Sequence, residues 1–518
     1  MRFRHTARTA AAALAAAVLA ACSSGTGSSG DSSDAGPPRR GGTLRVVKQT
    51  EPSSLDPAKF QVMVHNDGFI ASALFGELLV VKKDGRIEYS LAKDLTSSDR
   101  GKTWALRIRD GVKFTDGTPL DAAAVAYNWT RIKDPATGST GRAFASLIDT
   151  MTPKGQTLHF KLTRPVADFA AAIAADLNTV ASPKALRAGP QAFDKKPTGA
   201  GPFVLESWQR GGRMVLTRNP RYWDAPRPYL DKIVLTANTD VNQMFATQQS
   251  GGADAFASSA TDLLAQAEQQ GLTVAASELG AGTTLNLNTR QAPFDDVRAR
   301  RAVLLGVDRA AVNTAVYKGT ATVPDTFFQD GSPYNGGATL PKYDKAAATK
   351  LFSELAGEGK PVTFTITTYQ VTQIRRVAEA IQAQLNQYPH VRVEVEALDY
   401  SSALSKTTRR QFQAVVSSLA FDNPSPRLFT FLGSGQPGNI SSLASPELDA
   451  ALAEGMAATD EQARNAANRK IAELYSRLAP ALIYIRSAYG LAYPADRVHG
   501  VELYARSAIR ADQLWMSR

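Results

Sequence analysis

The stretch TWALRIRDGVKFTDGTPLDAAAVAYNWTR, residues 103–131, constrains the fold more than any other part of the chain. Its first half alternates apolar and polar side chains, with Trp104, Leu106 and Ile108 on one face, which is the pattern of a half-buried strand. Two Asp-Gly pairs then predict tight turns, because Gly adopts positive φ at little cost. Asp121 is placed to cap an alanine-rich helix. The segment therefore predicts a strand, a turn, further extended chain, a second turn and a helix.

Further motifs lie on both sides of this segment. Ser54-Leu55-Asp56-Pro57 lies upstream and Leu74-Phe75-Gly76-Glu77-Leu78-Leu79 follows it. Downstream, Gly199-Ala200-Gly201-Pro202-Phe203 leads into a predicted hairpin, and Asn219-Pro220-Arg221-Tyr222-Trp223 follows the hairpin. Together these motifs resemble family 5 of the extracytoplasmic solute-binding proteins, the oligopeptide, dipeptide and nickel receptors of ABC importers. The resemblance covers nearly all of residues 42–518.

The resemblance implies an α/β fold of the bilobal periplasmic-binding-protein type, in its large three-domain form with two hinge-crossing strands. A length of 518 residues agrees with more than one hydrophobic core. We expect the hinge strands near residues 276–288 and 480–488. The expected organisation is a lipoprotein signal peptide at 1–21, a lipidated cysteine with a flexible linker at 22–42, a first lobe at 43–275 with an inserted subdomain at about 76–195, a second lobe at 276–485, and a return to the first lobe at 486–518.

Local patterns within the expected second lobe add detail. Residues 361–398 read as strand, helix and strand, which predicts a parallel βαβ element. Asp308 is placed to cap one helix, and Ser445 is placed to cap another that has proline at its first position. Thr459 with Gln462 predicts a capping box for a third helix.

The first 22 residues predict the compartment. Arg2, Arg4 and Arg8 precede an apolar run of residues 10–21, and Leu19-Ala20-Ala21-Cys22 resembles a bacterial lipobox. We therefore expect Cys22 to carry lipid and to hold the protein in the cell envelope, at the outer face of the cytoplasmic membrane. The alternative is an ordinary signal peptide with an incidental cysteine.

Residues 23–42 are rich in glycine and serine and carry too little apolar surface to fold, so they predict a flexible linker. Within them, Gly25-Thr26-Gly27-Ser28-Ser29-Gly30 formally matches a dinucleotide-binding fingerprint. That match is rejected, because the fingerprint needs a preceding strand and a following helix.

Charge and cysteine content exclude several classes of partner. The formal net charge is +11, but acids are interleaved with the bases throughout, so we expect no nucleic-acid binding. A single cysteine excludes a disulfide within the monomer and a site built from several thiolates. The histidines lie far apart in sequence, and we expect no metal and no cofactor.

The sequence predicts that the protein is not an enzyme. Ser90-Leu91-Ala92-Lys93 matches the S-x-x-K pattern of penicillin-binding enzymes, but the Ser-Asp-Asn and Lys-Thr-Gly partner motifs of those enzymes are missing from the sequence. The sequence also has no G-x-S-x-G, Walker A or H-E-x-x-H motif.

The family resemblance also implies candidate ligand contacts. Residues just after the Ser54–Pro57 loop approach the ligand in the family, and the strand that leaves the first lobe lines the cleft. For Thr284 and Asn286 the alternative is the polar face of a half-buried strand. The candidates are Gln61, Met63, Thr284, Asn286, Leu419, Asp422 and Tyr484.

Asp422 is the candidate with the most specific motif. Peptide-binding members of the family carry Trp-x-Ala-Asp-Tyr-x-Asp-Pro here, and Asp422 matches the first aspartate, whereas Leu419 and Ser425 replace the tryptophan and the second acid. The resemblance thus implies an anchor for the α-ammonium of a peptide beside an altered side-chain pocket. The alternatives are that Asp422 caps a turn or pairs with Arg375.

The expected function is therefore capture of oligopeptides or dipeptides by a monomeric, lipid-anchored receptor that delivers them to an ABC permease and ATPase. The same fold binds other solutes in related proteins, so an oligosaccharide, metal chelate, haem or opine remains an alternative ligand. A surface signalling or adhesion lipoprotein without an importer is a further alternative.

Overall fold

The computed structural model describes residues 36–62, 66–82, 85–504 and 507–517. Pro38–Arg518 forms one compact unit. Among the described residues, no helix has both the length and the apolar character that a membrane span requires. The predicted signal peptide, lipobox and most of the linker lie outside the described residues.

A seven-stranded sheet combines the first strand of the described chain with strands from residues 203–278 and 488–493. Its order is β12-β18-β11-β1-β10-β9-β8, in which β1 runs parallel to β10 and β11 while the other neighbours are antiparallel. Its core includes alternate apolar residues of β1, such as Leu44 and Val46. The strands are β1 Thr43–Lys48, β8 Phe203–Trp208, β9 Arg213–Arg218, β10 Lys232–Ala237, β11 Ala255–Ser258, β12 Thr273–Glu278 and β18 Ala488–Tyr493.

A four-stranded antiparallel sheet, in the order β4-β5-β7-β6, contains the strand predicted at the start of the 103–131 segment. Trp104, Leu106 and Ile108 are buried as the alternation predicts, and Asp121 accepts a hydrogen bond from the Ala124 amide at the start of the next helix. The residues between the two Asp-Gly turns form only a single bridge, from Lys113 to Pro119. The elements are β4 Ala92–Ser97, β5 Thr103–Ile108, β6 Ile148–Lys154, β7 Thr157–Leu162, α2 Ala122–Lys133, α3 Arg142–Ala145 and α4 Phe169–Ala172.

A five-stranded sheet, in the order β15-β14-β16-β13-β17, forms the third layer. The predicted βαβ element is confirmed, because β14 and β15 are parallel and joined by a helix. The strands are β13 Gly280–Leu287, β14 Val362–Tyr369, β15 Val391–Leu398, β16 Ala414–Phe421 and β17 Ala481–Ile485. Its helices are α9 Val297–Gly306, α10 Arg309–Tyr317, α11 Lys345–Gly357, α12 Thr372–Leu385, α13 Tyr400–Thr408, α14 Arg427–Leu432, α15 Pro446–Ala457 and α16 Glu461–Leu478.

The remaining elements are short or peripheral. Three two-stranded ladders are β2 Leu79–Val81 with β3 Ile87–Tyr89, β19 Val498–His499 with β22 Trp515–Met516, and β20 Leu503–Tyr504 with β21 Ala508–Ile509. The other helices are α1 Gly68–Phe75, α5 Pro183–Leu186, α6 Pro190–Lys195, α7 Val241–Gln249 and α8 Thr261–Gln269.

Helix caps show what local sequence predicts well. Asp308 accepts from two amides at the start of α10, and Ser445 accepts from the Leu448 amide at the start of α15, as predicted. The capping box predicted from Thr459 and Gln462 is wrong, because Asp460 is the residue that caps α16 and accepts from the Ala463 amide. A carboxylate caps a helix at least as well as a threonine hydroxyl, so the helix begins one residue later.

The chain passes between the seven-stranded and five-stranded sheets at two adjacent places. The first crossover lies between β12 and β13 at Leu279, and the second lies between β17 and β18 at Arg486 and Ser487. At Gly282 the backbone has φ +148°, and an added Cβ would lie 2.0 Å from the carbonyl oxygen of Ile485. Only glycine therefore allows the two crossing chains to approach this closely.

Candidate functional site

A cavity of about 430 Å³ lies beside the two crossovers. Its walls come from the end of β12, the second crossover, a loop at 322–334 and the segment 421–427 that joins β16 to α14. Residues of β2, α4 and β20 complete the wall. This volume is within the range of about 300–1,000 Å³ that is typical of small-molecule sites.

A second cavity of about 840 Å³ is larger, but it is a weaker candidate. Its walls come from residues 292–299, 355–363 and Gln413, which lie in or next to the five-stranded sheet and its helices. The 430 Å³ cavity is contacted by several separate elements, including the end of β12 and the second crossover. Such convergence of distant segments is typical of ligand sites at domain boundaries.

Asp422 lies on the wall of the 430 Å³ cavity and is exposed there. It directly follows β16, so the end of a buried strand fixes its backbone. The neighbouring turn hydrogen bond is supplied by Asn423, whose Oδ1 accepts from the Ser425 amide at 2.9 Å. Arg375, the alternative ion-pair partner, lies 3.5 Å from Glu379. Asp422 therefore lies at a cavity, and its role as a peptide anchor stays a prediction.

Asn423 joins three distant segments at the edge of the same cavity. Its Nδ2 donates to Oδ2 of Asp168 at 2.5 Å and to the hydroxyl of Tyr334 at 2.6 Å. Burial raises the pKa of Asp168, and the hydrogen bond from Asn423 opposes that rise. Burial also raises the pKa of Tyr334 to about 12, with Asp168 contributing. These bonds hold the α4 region against the segment that carries Asp422.

Arg486 holds the loop at 322–334 against the second crossover. Its guanidinium is almost fully buried and donates to the carbonyl oxygens of Ala281, Thr326, Phe327 and Phe328 at 2.6–3.1 Å. Burial lowers the pKa of Arg486, while Asp330 and Glu278 raise it. Because the guanidinium bonds to main-chain oxygens rather than to a carboxylate, its role is to position the cavity wall.

Leu419 and Asn286 line a different and smaller cavity of about 120 Å³, between the five-stranded sheet and the 431–441 region. Thr284 is fully buried beside them, and its Oγ1 accepts from Nδ2 of Asn286 at 2.7 Å. The structure thus brings these three residues together, but none of them lines the 430 Å³ cavity that Asp422 lines.

The remaining candidates lie apart from the 430 Å³ cavity. Tyr484 is 1% exposed within the core of the five-stranded sheet, and burial raises the pKa of its hydroxyl. Gln61 is half-buried; its backbone N–H donates to Oδ2 of Asp67 at 2.9 Å, and its side-chain Oε1 accepts from Nδ2 of Asn66 at 3.2 Å. Met63 lies outside the described residues. The ligand contacts proposed for these residues stay predictions.

Sequence reasoning missed the loop at 322–334, which supplies much of the cavity wall. The loop contains Asp325, Asp330, Pro324, Gly331 and Pro333, and this density of turn-forming residues is a signal that could have marked it. Among the described residues, no group of three or more His, Cys, Asp or Glu side chains is arranged to hold a metal ion.

Comparisons with known proteins agree with this architecture. The model of the bacterial extracellular solute-binding proteins, family 5 middle, matches residues 86–439. The chain is 28% identical over 335 residues to the glutathione-binding protein GsiB of Salmonella paratyphi A, a match that covers 64% of this chain and 65% of the relative. It is 25% identical over 438 residues to the probable D,D-dipeptide-binding periplasmic protein DdpA of Escherichia coli, covering 81% of this chain and 84% of the relative.

The fold is also similar to a solved structure. The oligopeptide-binding protein AppA from Bacillus subtilis, in complex with a nonapeptide, superposes with a TM-score of 0.77 at 22% identity. The superposition covers 93% of this chain and 100% of that structure. At this identity the likeness shows the fold alone.

Proposed function

The chain belongs to family 5 of the bacterial extracellular solute-binding proteins, and from this membership we propose that it captures short peptides outside the cytoplasmic membrane and delivers them to the permease of an ABC importer. The observation that carries the proposal is the exposed carboxylate of Asp422 on the wall of a cavity bordered by the second crossover. Two relatives support the class of ligand, since their names state glutathione and D,D-dipeptide binding.

Asp422 supplies the fixed point that a peptide site needs. A peptide with a free N-terminus presents one α-ammonium group, and a carboxylate pairs with it through a charge-assisted hydrogen bond. When the ligand closes the cavity off from water, the carboxylate loses hydration, so a cationic partner becomes the favourable state. The rest of the peptide is extended, and its backbone groups hydrogen-bond to the walls or to water held between them.

Capture is coupled to closure about the two crossovers. A ligand shifts an open and closed equilibrium only if it binds the closed state more tightly, which a cavity with walls on both sides of the crossovers achieves. The bonds of Asn423 to Asp168 and Tyr334 then add contacts between segments that border the cavity. Closure thus both encloses the peptide and presents one shape to the permease.

The lipid anchor belongs to this proposal. The lipobox at 19–22 and the Gly/Ser-rich linker place the folded unit outside the membrane while keeping it near the importer. The receptor acts as a monomer and needs no cofactor, because the cavity recognises its ligand by charge and hydrogen bonding. It carries out no chemical step on the ligand.

The decisive experiment is identification of the ligand. Protein purified without unfolding is denatured, and the released small molecules are examined by mass spectrometry; short peptides are expected. Calorimetry with a tripeptide series, an oligosaccharide, a nickel chelate, haem and an opine then measures affinity. Tight binding of one non-peptide solute together with no peptide binding would reject the peptide assignment.

A further inference from the structure

The wall of the 430 Å³ cavity carries more acidic than basic side chains. Its carboxylates are Glu278, Asp325, Asp330 and Asp422, and its cations are Lys82, Arg427 and Arg486. The charge that a ligand meets depends on which of these side chains are already paired within the protein. A charged group held in an internal ion pair contributes little to binding a ligand.

The three cations are already engaged. Lys82 pairs with Glu88 at 2.7 Å and with Glu502. Arg427 donates from Nε to the Ala420 carbonyl at 2.6 Å and lies 4.0 Å from Asp176. The bonds of Arg486 go to the backbone of the crossover and the 322–334 loop. None of these groups is directed to an anionic ligand.

The carboxylates of the 322–334 loop are less constrained. Asp325 and Asp330 are both exposed. Among the described residues, the carboxylate of Asp325 has no hydrogen bond or ion pair, and that of Asp330 accepts only from Oγ1 of Thr326 at 3.3 Å. Two buried guanidinium groups interact with them electrostatically, Arg309 with Asp325 and Arg486 with Asp330. Two carboxylates of one loop are therefore available in the cavity wall.

The hydroxyl of Ser425 favours a polar ligand in this cavity. Ser425 lines the same cavity and is 8% exposed, yet its hydroxyl has no hydrogen-bond partner among the described residues. A buried hydroxyl without a partner is unfavourable, so a ligand that supplies one gains affinity. The hydroxyl is neutral and does not offset the acidic wall.

We propose that this cavity selects peptides with a lysine or arginine side chain, and that Asp325 and Asp330 are the specificity-determining residues. The inference rests on the proposed peptide-binding function and refines its substrate class. Asp422 binds the α-ammonium, while the loop carboxylates bind a second positive charge further along the peptide. An anionic side chain at that position meets like charge, so the same wall also rejects acidic peptides.

The test is calorimetry with tripeptides that have free N-termini, alanine at both ends and lysine, arginine, methionine or glutamate in the centre. Methionine is the unbranched neutral match for lysine. We expect the lysine and arginine peptides to bind at least about tenfold more tightly than the methionine peptide, which corresponds to about 1.4 kcal/mol. The preference shrinks with added salt, because screening weakens interactions between exposed charges.

Substitutions in the 322–334 loop test whether Asp325 and Asp330 cause the preference for lysine and arginine peptides. Asp325→Asn combined with Asp330→Asn is expected to remove the difference in affinity between the lysine and methionine peptides, and the ratio of the two affinities is the quantity compared. Asp325→Asn alone breaks no hydrogen bond and is expected to reduce the difference in affinity between the lysine and methionine peptides. This single variant is the one to measure if the double variant folds poorly. Glu268→Gln, an exposed acid on α8 away from the cavity, keeps the full preference.

The outcomes separate this inference from the proposed function. Equal affinity for all four peptides overturns the charge selection and leaves peptide binding intact. A preference that survives in the double variant overturns the assignment to Asp325 and Asp330. Failure of every peptide to bind overturns both the selection and the proposed function.

Discussion

The backbone amide of Leu279 donates to the carbonyl oxygen of Ser487 at 2.9 Å, which joins the two crossovers to each other at the point where each leaves its sheet. Leu279 is fully buried and Ser487 is 7% exposed. Because this bond ties the two crossing segments together, we expect the crossovers to bend as one hinge.

We expect a bound peptide to reduce the radius of gyration, because the closed state gains contacts on both sides of the cavity. Small-angle scattering with and without a peptide of verified affinity measures the change. A peptide shown by calorimetry not to bind is the control for effects of added solute. An unchanged radius at saturation with the binding peptide would count against hinge closure.

Replacing Arg486 is expected to reduce stability strongly. Arg486→Met removes the donor to the carbonyl oxygens of Ala281, Thr326, Phe327 and Phe328. Phe327 keeps a bond from the Ala281 amide and Phe328 keeps one from Oγ1 of Thr326, so we expect the lost bonds to cost about 2–4 kcal/mol in the free energy of unfolding. Denaturant unfolding measures this loss of stability. Arg392→Met is the matched control, since the Arg392 side chain is 74% exposed, and the change there should stay within about 0.5 kcal/mol. Equal losses in the two variants would contradict a positioning role for Arg486.

Asp422→Asn is expected to weaken peptide binding by about 10- to 150-fold, because a charge-assisted hydrogen bond is worth about 1.5–3 kcal/mol. N-acetylation of the peptide removes the same interaction from the other side. The two changes should therefore not add when they are combined in a double-mutant cycle measured by calorimetry. Equal affinity of the wild type for free and acetylated peptides would reject the anchor.

Glu77 is expected to make stability depend on pH. Burial, and next the nearby charge of Asp512, raise the pKa of Glu77 to about 7 from a value of 4.5 without those effects. Between about pH 4.5 and 7 the folded chain therefore keeps a proton that the unfolded chain gives up, so the free energy of unfolding falls as pH rises through this window. The loss is on the order of 3 kcal/mol when complete.

Denaturant unfolding at pH 5 and pH 8 tests this dependence. Glu77→Gln stays neutral and should show a smaller loss of stability between the two values than the wild type. Other buried groups titrate as well, so the difference between variant and wild type is the quantity to compare. Glu268→Gln, which changes an exposed acid, should follow the wild type. Parallel pH curves for Glu77→Gln and the wild type would show that Glu77 is ionised in the folded protein.

Cys22→Ser is expected to release the protein from the membrane, because the lipobox cysteine is the proposed site of lipid attachment. Membrane fractionation and incorporation of labelled palmitate measure the effect, with Ser23→Ala as the neighbouring control. The variant should appear in the soluble fraction and take up no label. Wild-type behaviour of Cys22→Ser in both assays would contradict the anchor.

Local sequence determined the secondary structure around residues 103–131 because its causes are local. The alternation of Trp104, Leu106 and Ile108 and the cap at Asp121 act over a few residues, and each has the predicted outcome in the structure. The start of α16 was missed because Thr459 and Asp460 are adjacent and both able to cap. Propensity alone does not separate two such neighbours.

The motifs also determined the family and the fold class, since spacing and residue identity agree along the chain. The composition of the cavity wall was decided only by tertiary structure. Asn423 hydrogen-bonds to Asp168, which lies 255 residues away in sequence, and to Tyr334, which lies 89 residues away. No local sequence pattern predicts contacts over such separations. Asp422 reaches the cavity while Leu419, three residues earlier, lines another one, because β16 ends between them and the chain turns. Strand periodicity gives the face of a side chain, but packing of the separate sheets decides which faces enclose a ligand.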